Sequence, residues 1–242
     1  MKVLVSDPLS EVGVRIFEET PGIEVDVNTG LTPEELQGVI GRYDALVIRS
    51  ATRVTADVIE KARNLKVIGR AGIGLDNVDI KAASKRGVVV MNTPEGNTIT
   101  TAEHAIALLL ALTRNIPEAT ASLKEGKWEK KRLKGREVFN KTLGLIGAGH
   151  IGRIVADRAR GLKMKVIVYD PYISPGTIEK LDLEPVSMDE LLARADYITI
   201  HTPKTEETAN MINREALSRM KKGAMLINCA RGGIVNEDDL YD

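Results

Sequence analysis

Gly147, Gly149 and Gly152 are spaced as G-x-G-x-x-G, directly after the apolar run 142–146 and at the head of an amphipathic stretch. The first glycine permits a tight turn, the second lets a pyrophosphate approach the backbone, and the third lets a helix pack closely on a strand. A phosphate held there, beside His150 and Ile151, rests on unpaired N–H groups at the positive end of the helix. The next apolar run, 165–169, ends at Asp170. A carboxylate at that point accepts hydrogen bonds from the adenosine ribose hydroxyls and repels a 2′-phosphate, so the pattern predicts NAD over NADP. Ligands of open parallel sheets bind beyond the carboxyl ends of the strands, at the switch point between the first and fourth. The fourth run, 197–200, delivers His201, Thr202 and Pro203 to that crevice, and the fifth, 224–228, delivers Cys229, Ala230 and Arg231. Arg231, beside Gly232 and Gly233, has two readings. It is either a surface ion-pair partner or a bidentate clamp for a substrate carboxylate, a task that suits a planar guanidinium better than an ammonium.

The elements that must position these residues are short. Runs 3–5, 23–27, 45–48, 66–68 and 88–90 read as strands, being brief, β-branched and bounded by turn residues. Helical stretches near 12–19, 33–40, 56–62 and 80–85 separate them, and Thr32, Pro33 and Glu35 form a capping box with proline at the first helical position. Thr100 and Glu103 have the spacing of a second box, opening a helix to about residue 115 whose core is apolar nearly all round. Such a helix is expected between domains or subunits. Pro117 restarts a shorter helix, and the charged stretch 124–134 around Trp128 reads as an exposed connection. A second series then follows, with strands at 142–146, 165–169, 184–186, 197–200 and 224–228, and a helix capped by Ser187 and Glu190. Strand–helix alternation implies an α/β chain of two Rossmann-like or flavodoxin-like parallel sheets, one in 1–97 and one in 98–242.

Composition excludes other classes. Lys+Arg and Asp+Glu are both 34, so the formal charge is zero and no broad field favours nucleic acid or an anionic membrane. The longest apolar run, 105–112, falls short of the roughly 20 residues that span a bilayer. A single cysteine, Cys229, forbids an internal disulfide framework and fits a reducing compartment, so a soluble cytoplasmic chain is expected. No metal is expected.

Segments 69–79, 92–97, 102–104, 147–152, 169–171, 201–203 and 228–233 together resemble the D-isomer-specific 2-hydroxyacid dehydrogenases, over nearly the whole chain. Residues 48–52 and 115–117, with Lys127 and Trp128, point to the phosphoglycerate branch of that family. The resemblance implies NAD-dependent oxidation of D-3-phosphoglycerate to 3-phosphohydroxypyruvate, a step into serine synthesis. It makes 1–97 a substrate-binding lid and 98–242 an NAD-binding Rossmann domain. Arg231 becomes the catalytic arginine, holding the substrate carboxylate and polarising the C2 oxygen. Arg49, Asn97 and the loop of Arg70, Gly72, Ile73 and Gly74 surround a phosphorylated 2-hydroxy acid, with Arg49 toward the phosphate. Ile73, His150, Ile151, Asp170, Thr202, Thr208, Cys229, Ala230 and Arg231 go to the cofactor, and His201 lines the nicotinamide side. A homodimer or higher homo-oligomer is expected through residues 102–112, with Trp128 reaching the partner. Within the family the alternative is glyoxylate or hydroxypyruvate reduction; from another class, it is a non-catalytic NAD-sensing regulator.

Two departures stand out. Lys204 occupies a position where the family usually has leucine. The family's general acid/base histidine and supporting glutamate lie tens of residues after the catalytic arginine, and the sequence ends at Asp242. The expectation is therefore a C-terminally truncated enzyme without turnover of its own. His104, inside a helix, and His150, inside the phosphate loop, do not substitute for the base, and Cys229 has no paired base to make it a nucleophile.

Overall fold

The computed structural model describes residues 1–242, which divide into two compact units, Met1–Asn97 and Thr98–Asp242. The first unit runs β1 (Lys2–Val5), α1 (Glu11–Glu18), β2 (Glu24–Val27), α2 (Pro33–Val39), β3 (Ala45–Ile48), α3 (Ala56–Lys61), β4 (Val67–Arg70), α4 (Ile80–Lys85) and β5 (Val89–Asn92). Its five strands are all parallel, in the order β2-β1-β3-β4-β5. Leu4, Leu46, Ile48 and Ile68 from the inner strands meet Leu36, Val58 and Ile59 from the helices in one core. Apolar runs suit inner strands that helices cover on both faces. The Thr32 box forms as expected: Glu35 N–H donates to Thr32 Oγ1 at 3.2 Å, and Thr32 N–H donates to Glu35 Oε2 at 2.8 Å.

The second unit opens with α5 (Thr98–Thr113) and α6 (Ile116–Lys124). It continues through β6 (Thr142–Ile146), α7 (His150–Gly161), β7 (Lys165–Tyr169), α8 (Pro175–Glu179), β8 (Glu184–Pro185), α9 (Met188–Arg194), β9 (Tyr197–Ile200), α10 (Arg214–Arg219), β10 (Met225–Asn228) and α11 (Glu237–Tyr241). The strand order is β10-β9-β6-β7-β8, again parallel, so the first and fourth strands of this unit, β6 and β9, lie side by side. That adjacency is the switch point where a crevice opens. No helix is long and apolar enough to cross a membrane.

Helix α5 corrects one expectation. It begins at Thr98, two residues ahead of the Thr100 box, with the Thr98 side chain buried in place of an exposed cap. Ala102, Ala105 and Leu109 enter the core of the second unit, whereas Leu108 and Leu112 on the same helix stay exposed. The strands shift by a residue or two at 66–68 and 88–90, which become Val67–Arg70 and Val89–Asn92.

Candidate active site

In the second unit, Gly147 follows β6 at φ +93°, a left-handed conformation that a side chain rarely adopts. A Cβ there would also stand 2.8 Å from the carbonyl oxygen of His201, so the turn lies directly against the end of β9. At Gly152 a Cβ would overlap the Gly147 carbonyl oxygen; the helix can pack on the turn only because none exists. Gly149 differs: its missing Cβ would face open space, and as the N-cap of α7 it supplies no side-chain acceptor. The first N–H groups of a twelve-residue helix thus point into a cradle with room for an anion.

Asp170 braces this cradle. One carboxylate oxygen accepts from the Ala148 N–H at 2.8 Å, the other from the N–H groups of Tyr172 and Ile173 at 2.9 and 3.2 Å. Arg153, one turn into α7, donates its Nε to the Ala148 carbonyl at 2.9 Å and holds the loop from the other side. Arg153 lay outside the sequence reading, because the glycine spacing says nothing about which helical side chain turns back onto the loop.

At the end of β9 the His201 ring pairs with the Thr199 hydroxyl at 2.9 Å. Burial pushes the imidazole down to about 4, so it is neutral at pH 7. The Thr202 hydroxyl is buried beside Gly147 and has no hydrogen-bond partner, an acceptor-donor left over in the crevice. Thr208 is occupied within its own turn, accepting from the Thr205 N–H at 2.7 Å and donating to the Pro203 carbonyl at 2.8 Å. Beyond β10, Asn228 folds the next three residues: its Nδ2 donates to the Arg231 carbonyl at 2.9 Å and its Oδ1 accepts from the Ala230 N–H at 3.0 Å. Arg231 is half-buried and also donates Nη1 to the Ala230 carbonyl at 2.8 Å. Burial pushes the Cys229 thiol up, away from a reactive thiolate.

The first unit carries the other cluster. Arg49 is exposed just past β3, with only a 3.4 Å contact from Nη1 to the Pro8 carbonyl. Arg70 ends β4, and its guanidinium lies against Gly72, where a Cβ would collide with it. Asn92 donates to the Ile73 carbonyl at 2.8 Å, tying the loop of Ile73 and Gly74 to the end of β5. Asn97 is exposed in the turn before α5. Of the three histidines, His104 is exposed on α5 and His150 is exposed at the start of α7.

Residues 106–242 match the family model described as the D-isomer specific 2-hydroxyacid dehydrogenase, NAD binding domain. The chain belongs to the D-isomer specific 2-hydroxyacid dehydrogenase family. It is 50% identical over 242 residues to a D-3-phosphoglycerate dehydrogenase of Archaeoglobus fulgidus, covering all of this chain and 46% of the relative. A hydroxypyruvate reductase of Thermotoga maritima is 48% identical, covering all of this chain and 78% of that one. Among solved structures, an NAD-dependent formate dehydrogenase from Staphylococcus aureus in complex with NAD superposes with a TM-score of 0.87 at 35% identity, over 99% of this chain and 76% of that one. The chain spans about half the length of the phosphoglycerate dehydrogenases it matches. The family's cofactor, NAD, fits the residues present. The open cradle at Gly149, the uncapped α7 N-terminus and the unpartnered Thr202 hydroxyl are polar features that a dinucleotide satisfies.

Proposed function

We propose that the protein to which residues 1–242 belong oxidises D-3-phosphoglycerate to 3-phosphohydroxypyruvate with NAD, at the start of serine synthesis. Bound NAD supplies the hydride acceptor. The chain's own residues bind and orient. Arg231, presented by the Asn228-folded turn, takes the substrate carboxylate and draws electron density from the C2 oxygen. Gly147, Gly149, His150, Ile151 and Gly152 receive the pyrophosphate, and Asp170 receives the adenosine ribose. Thr202 and Pro203 line the crevice. Arg49, Arg70 and Asn97, with the backbone of Gly72, Ile73 and Gly74, form the substrate side.

The observation that carries this reading is Arg49: an exposed cation on a strand end, with no carboxylate partner, suits a substrate phosphate. None of the three histidines is assigned the C2 hydroxyl proton. His201 is neutral and turned to Thr199, and the other two are exposed on helices α5 and α7. Residues 1–242 alone are therefore expected to turn over slowly or not at all. Leu108, Leu112 and the 80%-exposed Trp128 favour a homodimer.

A second reading, hydroxypyruvate or glyoxylate reduction, is favoured by the Thermotoga relative, of which this chain covers the larger share. Substrate profiling separates the two. Arg49→Ala is expected to raise KM for 3-phosphoglycerate by about tenfold, or about 1.4 kcal/mol, and to leave non-phosphorylated 2-hydroxy acids nearly unchanged. Equal losses on both classes remove the preference for phosphoglycerate.

A further inference from the structure

The segment that carries Arg49 leaves the sheet immediately after β3. The last ladder bond on this side runs from the Ala71 N–H to the Ile48 carbonyl at 2.9 Å. Beyond it, two side chains take every backbone polar group of Arg49 and Thr52. Asp7, only 2% exposed, accepts from the Arg49 N–H at 2.6 Å and, through both carboxylate oxygens, from the Thr52 N–H at 3.1 Å. The Thr52 hydroxyl also donates to Asp7 at 2.8 Å, which leaves Ser6 to donate to Thr52 Oγ1 at 2.9 Å. From the opposite side, Asn77 Nδ2 donates to the carbonyls of Arg49 and Thr52 at 2.8 and 2.7 Å.

The amide orientation of Asn77 is informative. Its Oδ1 is buried with no partner, a state that native structures rarely tolerate. Flipping the amide would turn Oδ1 onto two carbonyl oxygens, so the present orientation is fixed by the loop and not by the needs of Asn77 itself. Between them Asp7 and Asn77 bond the N–H and carbonyl groups of both Arg49 and Thr52, while the Arg49 guanidinium is left exposed.

We infer that Asp7 and Asn77 are positioning residues for Arg49, fixing its Cα so that the guanidinium meets the substrate's phosphate group without first ordering its loop. The inference rests on the reading of Arg49 given above. Preorganisation of this kind raises affinity by removing the ordering cost from the binding step. It therefore acts on ligands that Arg49 touches and spares those it does not. A purely structural stitch would instead weaken all ligands together or lower only the melting temperature.

The test compares dissociation constants for 3-phosphoglycerate and D-glycerate in the intact protein and in Asp7→Asn, Asn77→Ala, Arg49→Ala and the Asp7→Asn/Arg49→Ala pair, with a thermal melt as the check on folding. Asparagine at position 7 keeps the shape but offers one acceptor oxygen in place of two and turns an N–H₂ donor toward a donor. Asp7→Asn is expected to weaken 3-phosphoglycerate by about tenfold, to leave D-glycerate within about twofold, and to add nothing further once Arg49 is alanine. Equal losses on both ligands, or an undiminished loss in the Arg49→Ala background, overturn the inference. Should Asp7→Asn lose a cooperative melt, Asn77→Ala carries the same expectations. If Arg49→Ala is selective for the phosphorylated ligand and neither Asp7→Asn nor Asn77→Ala is, the clamp alone is wrong. If Arg49→Ala weakens both ligands alike, the phosphate reading of Arg49 fails and takes the clamp with it.

Discussion

Two loops at the carboxyl ends of strands, one in each unit, use their backbone in opposite ways. After β6, the turn through Gly149 leaves helix N–H groups open to a cradle. After β3, the N–H and carbonyl groups of Arg49 and Thr52 are taken up by Asp7 and Asn77, and the Arg49 side chain is left exposed. The first arrangement suits an anion held by the main chain, a site that glycine makes and that side chains can only brace. The second offers a side chain and uses the main chain as its mount. A backbone site is legible as a glycine spacing. A mounted side chain is not, because its supports come from distant parts of the sequence.

The largest effect should come from filling the backbone site. Gly152→Val places a Cβ on the Gly147 carbonyl oxygen, so the turn and the helix must separate. NAD affinity is expected to fall by more than about a thousandfold, or about 4 kcal/mol, read by titration with circular dichroism confirming the fold. Affinity within about tenfold of the parent would mean that the cradle does not depend on that close approach.

A second effect concerns what lies beneath the open turn. His201, whose carbonyl abuts Gly147, is held neutral by burial down to about pH 4, whereas the ordinary value is 6.5. Between those limits the unfolded chain binds a proton that the folded chain refuses, so stability falls as pH drops through that window. The loss is on the order of 3 kcal/mol across the full range and is fully avoided above pH 6.5. His201→Gln should show a shallower fall in unfolding free energy between pH 6.5 and 4, with carboxylate contributions common to both proteins cancelling. Identical slopes would mean that the imidazole is hydrated or protonated in the folded state.

Much of the fold was legible because parallel strands covered on both faces appear as short apolar runs: 45–48, 142–146, 165–169 and 197–200 read directly as strands. The capping boxes at Thr32 and Ser187 also formed, since a box is a local bond between residues three apart. The Thr100 spacing misled for the same reason: it has the composition of a box, but the helix starts earlier, at the buried Thr98. Helices α8 and α10 escaped detection, although the equally short α3 and α4 did not. They are fixed by burying Ile178 and Ala216, and α10 by the Asn213 cap. In the candidate site, the glycines, Asp170 and Arg231 have spacing signals. Asp7, which holds Arg49 from 42 residues away, has none. Arg153 and Asn228 likewise show their part only when the loop they brace is folded.

In the function proposed above, residues 98–242 form an NAD site whose open turn takes the pyrophosphate and whose Asp170 faces the adenosine ribose. Calorimetric titration of residues 1–242 with NAD and with NADP, in the parent and in Asp170→Ala, tests it most directly. Asp170 accepts three backbone N–H groups, and in the proposed site its negative charge repels a 2′-phosphate. NAD is expected to bind more tightly than NADP by at least about tenfold, and Asp170→Ala to weaken NAD and narrow the gap. Equal or tighter binding of NADP by the parent, or a gap unchanged by Asp170→Ala, would rule out this role for Asp170.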